Sequence, residues 1–137
     1  MVNVLACAQA DIPELAKLNR QLIEDEQADN PMTEAQLARR MEEFLGAGYR
    51  AFFFEADGSR VGYALVDVTK TPLYLRHFFI CREHRRQGYG REAFFALLGH
   101  LRVSEMDLDV YVWNHRGILF WKSLGFAARS MNMRLKK

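Results

Sequence analysis

The sequence predicts an α+β domain: a mixed but mostly antiparallel sheet flanked by about four helices. Three observations carry this. Two stretches of helical periodicity come early, and a block of strand-like alternation broken by a tight Asp-Gly turn follows. Helical and strand-like segments then alternate to the end, so parallel pairing is expected only where a helix crosses over. The 137 residues fit one domain, 1–137, large enough to bury a single core.

"VNVLACA" opens the chain as a short strand. Asp11, Pro13 and Glu14 then form a capping-box arrangement for a first helix, whose Ile12, Leu15, Leu18, Leu22 and Ile23 recur on one face. Thr33 caps a second helix with a stripe of Leu37, Met41, Phe44 and Leu45, ending near Gly46 and Gly48. "YRAFFFEA" and "RVGYALVDV" flank "DGS" as a hairpin, and "LYLRHFFIC" follows Thr71-Pro72 as a third strand. Ala93, Phe94, Leu97, Leu98 and Leu101 give a third helix. "MDLDVYVW" alternates as a strand, "NHRGILFWKSLGF" reads as a short helix ending at Gly125, and "AARSMNMRLKK" reads as a closing strand.

Half the residues are hydrophobic, 26% are charged, and the formal net charge is +2. Such a chain is not a polyanion binder as a whole, so any recognition of a charged ligand rests on local clustering such as Arg82 to Arg91. The two cysteines, Cys7 and Cys81, build neither a disulfide framework nor a zinc site and suit a reducing compartment. His84, His100 and His115 lack metal-ligand spacing, and no metal is expected. No charged-then-apolar leader is visible, and no apolar run approaches the roughly 18 residues of a membrane span, so the expectation is a cytoplasmic protein without a membrane partner.

"RRQGYG", residues 85–90, lies between the third strand of the sheet and an amphipathic helix. Gly88 and Gly90 permit a tight turn and close approach of a ligand to the backbone, while Arg85, Arg86 and Arg91 add charge at the positive end of the helix dipole. This chemistry suits a diphosphate. It lacks the Gly-Lys-Ser/Thr of a P-loop and the third glycine and distal acid of a dinucleotide fingerprint. Taken alone, the hexamer is equally compatible with a solvated basic turn.

Arg85-x-x-Gly88-x-Gly90 in this context resembles motif A of the GNAT superfamily of acetyl-CoA-dependent N-acetyltransferases. "WNHRGILFWKSLGF" resembles that superfamily's later Asn-to-Gly-Phe segment, and the order of elements is similar across essentially the whole chain. The resemblance implies an α/β/α layered fold with a splayed central strand pair, and acetyl-CoA as cosubstrate without a metal. It implies that backbone groups of Phe78, Phe79 and Ile80 hold the pantetheine arm, that Arg85, Arg86, Gln87, Gly88, Tyr89, Gly90 and Arg91 cradle the pyrophosphate, and that Asn114 sits near the thioester. The Ile80 amide becomes the candidate for polarising the carbonyl. Trp121 occupies the place where relatives put a tyrosine acid beside the departing sulfur; an indole N–H donates but is no acid at neutral pH, so the general acid is unassigned.

The general base is unassigned as well. Where relatives carry a carboxylate or histidine, this chain has Tyr74 and Arg76; His77 points to the other face under strict alternation unless a bulge re-aims it. Glu24, Asp25 and Glu26 suit a cationic acceptor, whereas Arg76 suits an anionic one. No base lies beside Cys81 in sequence to activate it. The expected function is transfer of an acetyl group to a primary amine of a small molecule or peptide by direct attack, in a possible homodimer. A non-catalytic acetyl-CoA-binding module is the alternative. A nucleic-acid partner is not expected, because the basic stretch Arg82, Arg85, Arg86, Arg91 is short.

Overall fold

A computed structural model describes residues 1–137. Strand β1 (Asn3–Ala6) leads to helices α1 (Ile12–Asp25) and α2 (Glu34–Gly46). Strands β2 (Tyr49–Ala56), β3 (Ser59–Asp67) and β4 (Leu73–Ile80) follow, then α3 (Tyr89–Leu101), β5 (Met106–Leu108) and α4 (His115–Ser123). The sheet runs β1-β2-β3-β4-β5; the first three pairings are antiparallel and β4-β5 is parallel, as the crossover through α3 requires. No helix is long and apolar enough to cross a membrane.

The consecutive apolar residues of β2 and β3 are explained by a sheet covered on both faces. Ala51, Phe53, Tyr63, Leu65 and Phe79 pack with Ile12, Leu15, Leu22 and Met41 from α1 and α2. Phe52, Phe54, Val61, Ala64 and Val66 pack with Ala93, Phe94 and Leu97 of α3, and Trp121 and Phe126 close that layer from α4 and the residues after it. Each such fully buried phenylalanine contributes about 1.5–3 kcal/mol relative to exposure. The hairpin turn has both central residues at positive φ, Asp57 at 51° and Gly58 at 79°, as a type I′ turn demands.

Thr33 caps α2 as the sequence predicts, with Gln36 N–H donating to its Oγ1 at 3.2 Å. Local chemistry departs from expectation in four other places. Asp11 does not cap α1 through its side chain: a short 3-10 turn (Gln9–Asp11) precedes the helix, and the carboxylate accepts from the Ala8 amide at 2.7 Å. Strand β5 is three residues long, because the chain beyond Leu108 leaves the sheet and has no strand to pair with. Residues 127–137 form no strand for the same reason: their alternating pattern suits one, but Met131, Met133 and Leu135 are exposed and the sheet ends at β5. Finally, β4 carries a bulge. Leu65 faces His77 and Val66 faces Leu75, which leaves Arg76 as the extra residue.

The β3–β4 contact is tight at Gly62, opposite Ile80. A Cβ there would overlap the Phe79 carbonyl oxygen, a backbone atom that cannot swing aside. Gly62→Ala is therefore expected to destabilise by about 1–3 kcal/mol in urea unfolding. Gly99→Ala, in α3 with open space around the new methyl, is expected to stabilise by up to about 1 kcal/mol. Equal responses of the two variants would contradict this packing.

Candidate active site

β4 and β5 touch only through Leu73–Met106, Tyr74–Asp107 and Leu75–Leu108. Beyond them β4 continues to Ile80 while its neighbour departs, and the strands part. The Cys81 amide donates to Val61 O at 2.7 Å, on the β3 side. By the alternation of an antiparallel ladder, Phe79 also directs its amide and carbonyl to β3, whereas Phe78 and Ile80 direct theirs into the opening. Arg85 confirms the direction, its Nε donating to Ile80 O at 2.9 Å. Of the three expected backbone contacts, Phe78 and Ile80 therefore face the opening.

A cavity of about 460 Å³ fills this opening and runs from Glu26 and Arg76, past Ile80, to Gly88 and Asn114. Its basic end is the turn read from sequence. Arg86 and Gly88 have positive φ, 63° and 80°, and Gly88 is the residue before the first turn of α3. First-turn amides have no acceptor within their own helix, so those of α3 are available to an anion at the positive end of the helix dipole. Open space surrounds Gly88, whereas a Cβ on Gly90 would press on the Phe120 ring at 3.1 Å. Gly88 thus leaves this end of the cavity open, and Gly90 makes room for α4. Arg86, Arg91 and Arg116 line this end of the cavity without an ion pair, as do Tyr89 and Asn114. Gln87 lies in the turn but not in the cavity wall. The donor set fits a diphosphate-bearing cosubstrate.

Several expected residues are otherwise engaged. Arg82 bonds Glu24 at 3.2 Å and Asp25 at 2.7 Å, and Arg85 bonds the other Asp25 oxygen. Burial alone would raise the Asp25 carboxyl, but the hydrogen bonds from Arg82 and Arg85 hold it below the usual range. The Tyr74 hydroxyl donates to Asp109 at 2.6 Å; burial and that carboxylate push its ionisation up, away from any role as base. The Asn114 side chain caps α4, accepting from Gly117 N at 3.0 Å. Trp121 lines the cavity and also packs edge-on to Phe78 at 5.2 Å, Phe94 at 5.7 Å and Phe126 at 5.3 Å. Burial lifts the Cys81 thiol to about 11, far from an activated thiolate.

The bulge at Arg76 re-phases β4, so His77 turns inward against Tyr63 and Phe44 instead of following Leu75. Its Nδ1 lies 3.2 Å from the Tyr63 hydroxyl, and burial, then Arg40 and Arg76, depress it to about 3. It is a neutral core residue. Glu26 differs from the other acids of its run: it lines the cavity, has no cation partner, and is lifted to about 7 by burial and then by Asp25. The Trp113 indole donates to the Glu26 carbonyl at 3.0 Å and stacks on Tyr111, ring centroids 4.6 Å apart, joining the end of α1 to the segment between β5 and α4. Sequence reasoning missed Asp109 and Arg116, and it could not separate Glu26 from Glu24 and Asp25.

The same arrangement of elements recurs in known proteins. The family model described as Acetyltransferase (GNAT) family matches residues 15–126. Among solved structures, an acetyltransferase from Thermus thermophilus superposes with a TM-score of 0.76 at 19% identity, over 93% of this chain and 87% of that one. Ribosomal-protein-alanine N-acetyltransferase from Brucella melitensis biovar Abortus 2308 gives 0.74 at 16% identity, over 100% of both chains. Aminoglycoside N-acetyltransferase AAC(6')-Iy in complex with CoA gives 0.73 at 18% identity, over 100% of this chain and 95% of that one. No curated protein matches the sequence.

The Asp25 clamp generates a stability prediction with a definite sign. A carboxyl held below its unfolded value stabilises the fold above that value, 3.8, and the contribution fades as pH falls through the folded one. Asp25→Asn is expected to lose about 1 kcal/mol at pH 7, discounted for the partly exposed setting, and less at an acid pH below 3.8, as the parent's Asp25 takes up its proton. Denaturant titrations at the two pH values check it; an equal loss at both would rule the clamp out.

Proposed function

The chain belongs to the GNAT acetyltransferase family, and on that premise we propose that it transfers the acetyl group of acetyl-CoA to a primary amine of a small molecule or peptide by direct attack. One observation carries this reading: the parted strands open a single cavity that joins a phosphate cradle at Gly88 to an unpaired carboxyl at Glu26. Acetyl-CoA supplies a thioester whose carbonyl carbon the amine attacks as the CoA thiolate leaves. The α3 amides with Arg86, Arg91 and Arg116 hold the diphosphate, and the Phe78 and Ile80 backbone orients the pantetheine arm. The Ile80 amide donates to the thioester carbonyl oxygen where negative charge develops.

Glu26 takes the proton of the acceptor ammonium. A base poised near neutrality combines availability with driving force, and Glu26 at about 7 meets that condition, whereas His77 at about 3 is buried and too weak. No protein acid is assigned to the leaving sulfur. Trp121 sits in an aromatic cluster, and a thiol with an ordinary pKa of about 8.5 is a weak enough base to depart as thiolate. Arg76 and Tyr74 shape the acceptor end. Release of CoA thiol from acetyl-CoA over a panel of amines tests the function; CoA binding without release for any amine would leave the non-catalytic binding module.

Two measurements test the roles. Gly88→Val is expected to weaken CoA binding by calorimetry at least about tenfold, because it puts a β-branched side chain at φ +80° in the open cradle. Unchanged affinity would reject the cradle. Glu26→Gln is expected to lower kcat/KM by about 10²–10⁴-fold and to abolish the rise of activity through pH about 7 that loss of the Glu26 proton produces. The folded state holds this proton more tightly than the unfolded chain, so the parent's unfolding free energy should fall as pH rises from 4.5 towards about 7, and E26Q should flatten that segment. A variant that keeps the acid limb would remove Glu26 from the mechanism.

A further inference from the structure

Resting on that reading of the cavity, we infer that the acceptor carries a carboxylate beside its amine, and that Arg76 is the residue that reads it. The bulge is the first observation. As the extra residue of β4, Arg76 lies across Tyr49, Tyr74 and Phe44, its guanidinium carbon 5.5, 5.5 and 5.0 Å from their ring centroids. Its Nε donates to the Tyr49 hydroxyl at 2.9 Å. Three aromatic walls and one hydrogen bond fix the plane of the group while both terminal nitrogens make no bond to the protein. That is the fork which accepts a planar two-oxygen anion.

The second observation is charge. Arg76 lines the cavity with Glu26 and Ile80, yet no carboxylate of the protein pairs with it. Arg40 of α2 approaches the same Phe44 ring, at 5.3 Å, and it too has no acidic partner: one terminal nitrogen donates to Asn19 at 3.1 Å, and its buried Nε has no acceptor. Two guanidinium groups on one ring repel each other, and partial burial of Arg40 adds to the cost. The nearby acids relieve it only at a distance. Glu24 and Asp25 are held by Arg82 and Arg85, Asp109 is engaged only by the neutral Tyr74 hydroxyl, and Asp67 attracts Arg76 without forming an ion pair with it. At this end of the cavity Arg76, with Arg40 behind it, therefore has no carboxylate in contact, and the Glu26 carboxyl has no side-chain partner.

An acceptor that satisfies both presents an anion to Arg76 and an ammonium to Glu26, which is the charge pattern of an amino acid or a short peptide carrying a nearby carboxylate. A polyamine satisfies only Glu26 and is repelled by the arginines. The dipole of the acceptor also orients it: with the carboxylate on the bulge, the amine is directed toward the Ile80 end of the opening.

The test uses the full chain and matched probes that differ only in the carboxylate: glycine and alanine, their amides, and the decarboxylated amines. Their N-acetyl products, N-acetylglycine and N-acetylglycinamide, are titrated calorimetrically into CoA-saturated protein. The expected result is a preference for the carboxylate forms of about tenfold or more in kcat/KM and in product affinity. In Arg76→Gln that ratio should fall to within about threefold of one, with Arg76→Lys intermediate because it keeps the charge but loses the fork. Thermal melts of the two variants confirm that they fold, and the lysine variant preserves the test where glutamine does not. Carboxylate forms that neither turn over nor bind better than the amides overturn the inference, as does a preference that survives Arg76→Gln. The transfer reaction fails separately: thiol release with amides and simple amines alone keeps the enzyme and rejects the anion site. Arg76-dependent product binding without thiol release for any acceptor supports the anion site and rejects the enzyme.

Discussion

Everything at the cavity depends on the separation of β4 from β5 after Leu75 and Leu108. A parallel pair that stayed in register would bury the backbone of Phe78 and Ile80 in ladder hydrogen bonds and leave no opening. The parting leaves the Phe78 groups and the Ile80 amide facing a space that must be wet or occupied by a ligand, while Arg85 takes Ile80 O. The bulge at Arg76 lies one residue beyond the last paired position, so the strand is re-phased at the point where it leaves its neighbour. Arg76 projects to the mouth, His77 goes into the α1–α2 layer, and Phe78 and Ile80 go into the α3 layer. One extra residue thus assigns four side chains to their layers.

The small net charge of +2 conceals a segregation that gives the cavity its two ends. Arg82 and Arg85 are neutralised by Glu24 and Asp25, although sequence places them in the basic turn. Arg86, Arg91 and Arg116 remain unpaired at the end where α3 begins, where the helix dipole adds to their field. Tyr74 engages Asp109, and Glu26 is left without a partner. Which cations are free is a property of pairs between distant elements, not of composition.

That distinction explains how much is legible in the sequence. Local rules find what local rules determine: the Thr33 cap, the Asp57-Gly58 turn, the positive-φ glycine at the head of α3, and the strand–turn–helix order around it. The bulge escapes them because it is a fact of register between β3 and β4, and Leu73–Ile80 reads as an ordinary strand either way. Arg85 reads as a phosphate ligand, since nothing in the sequence links it to Asp25, 60 residues earlier. Residues 127–137 carry a strand pattern, but a strand needs a neighbour, and periodicity cannot provide one. Glu26 is one of three adjacent acids; only burial and the absence of a cation distinguish it.

The same three acids show how the two ends of the cavity are coupled. Successive helical positions point in different directions, so Asp25 can meet Arg82 and Arg85 while Glu26 faces inward. Arg85 also holds Ile80 O, so one guanidinium ties the end of α1 to the end of β4 and to the turn that becomes the cradle. Electrostatics follow the mechanics. Asp25 raises the proton affinity of Glu26 through its charge, an effect second to burial. Without burial the Glu26 carboxyl would fall toward an ordinary carboxylic acid and make a weaker base. By keeping Asp25 ionised, Arg82 and Arg85 sustain the charge that raises Glu26, and so link the turn after β4 to the Glu26 end of the cavity.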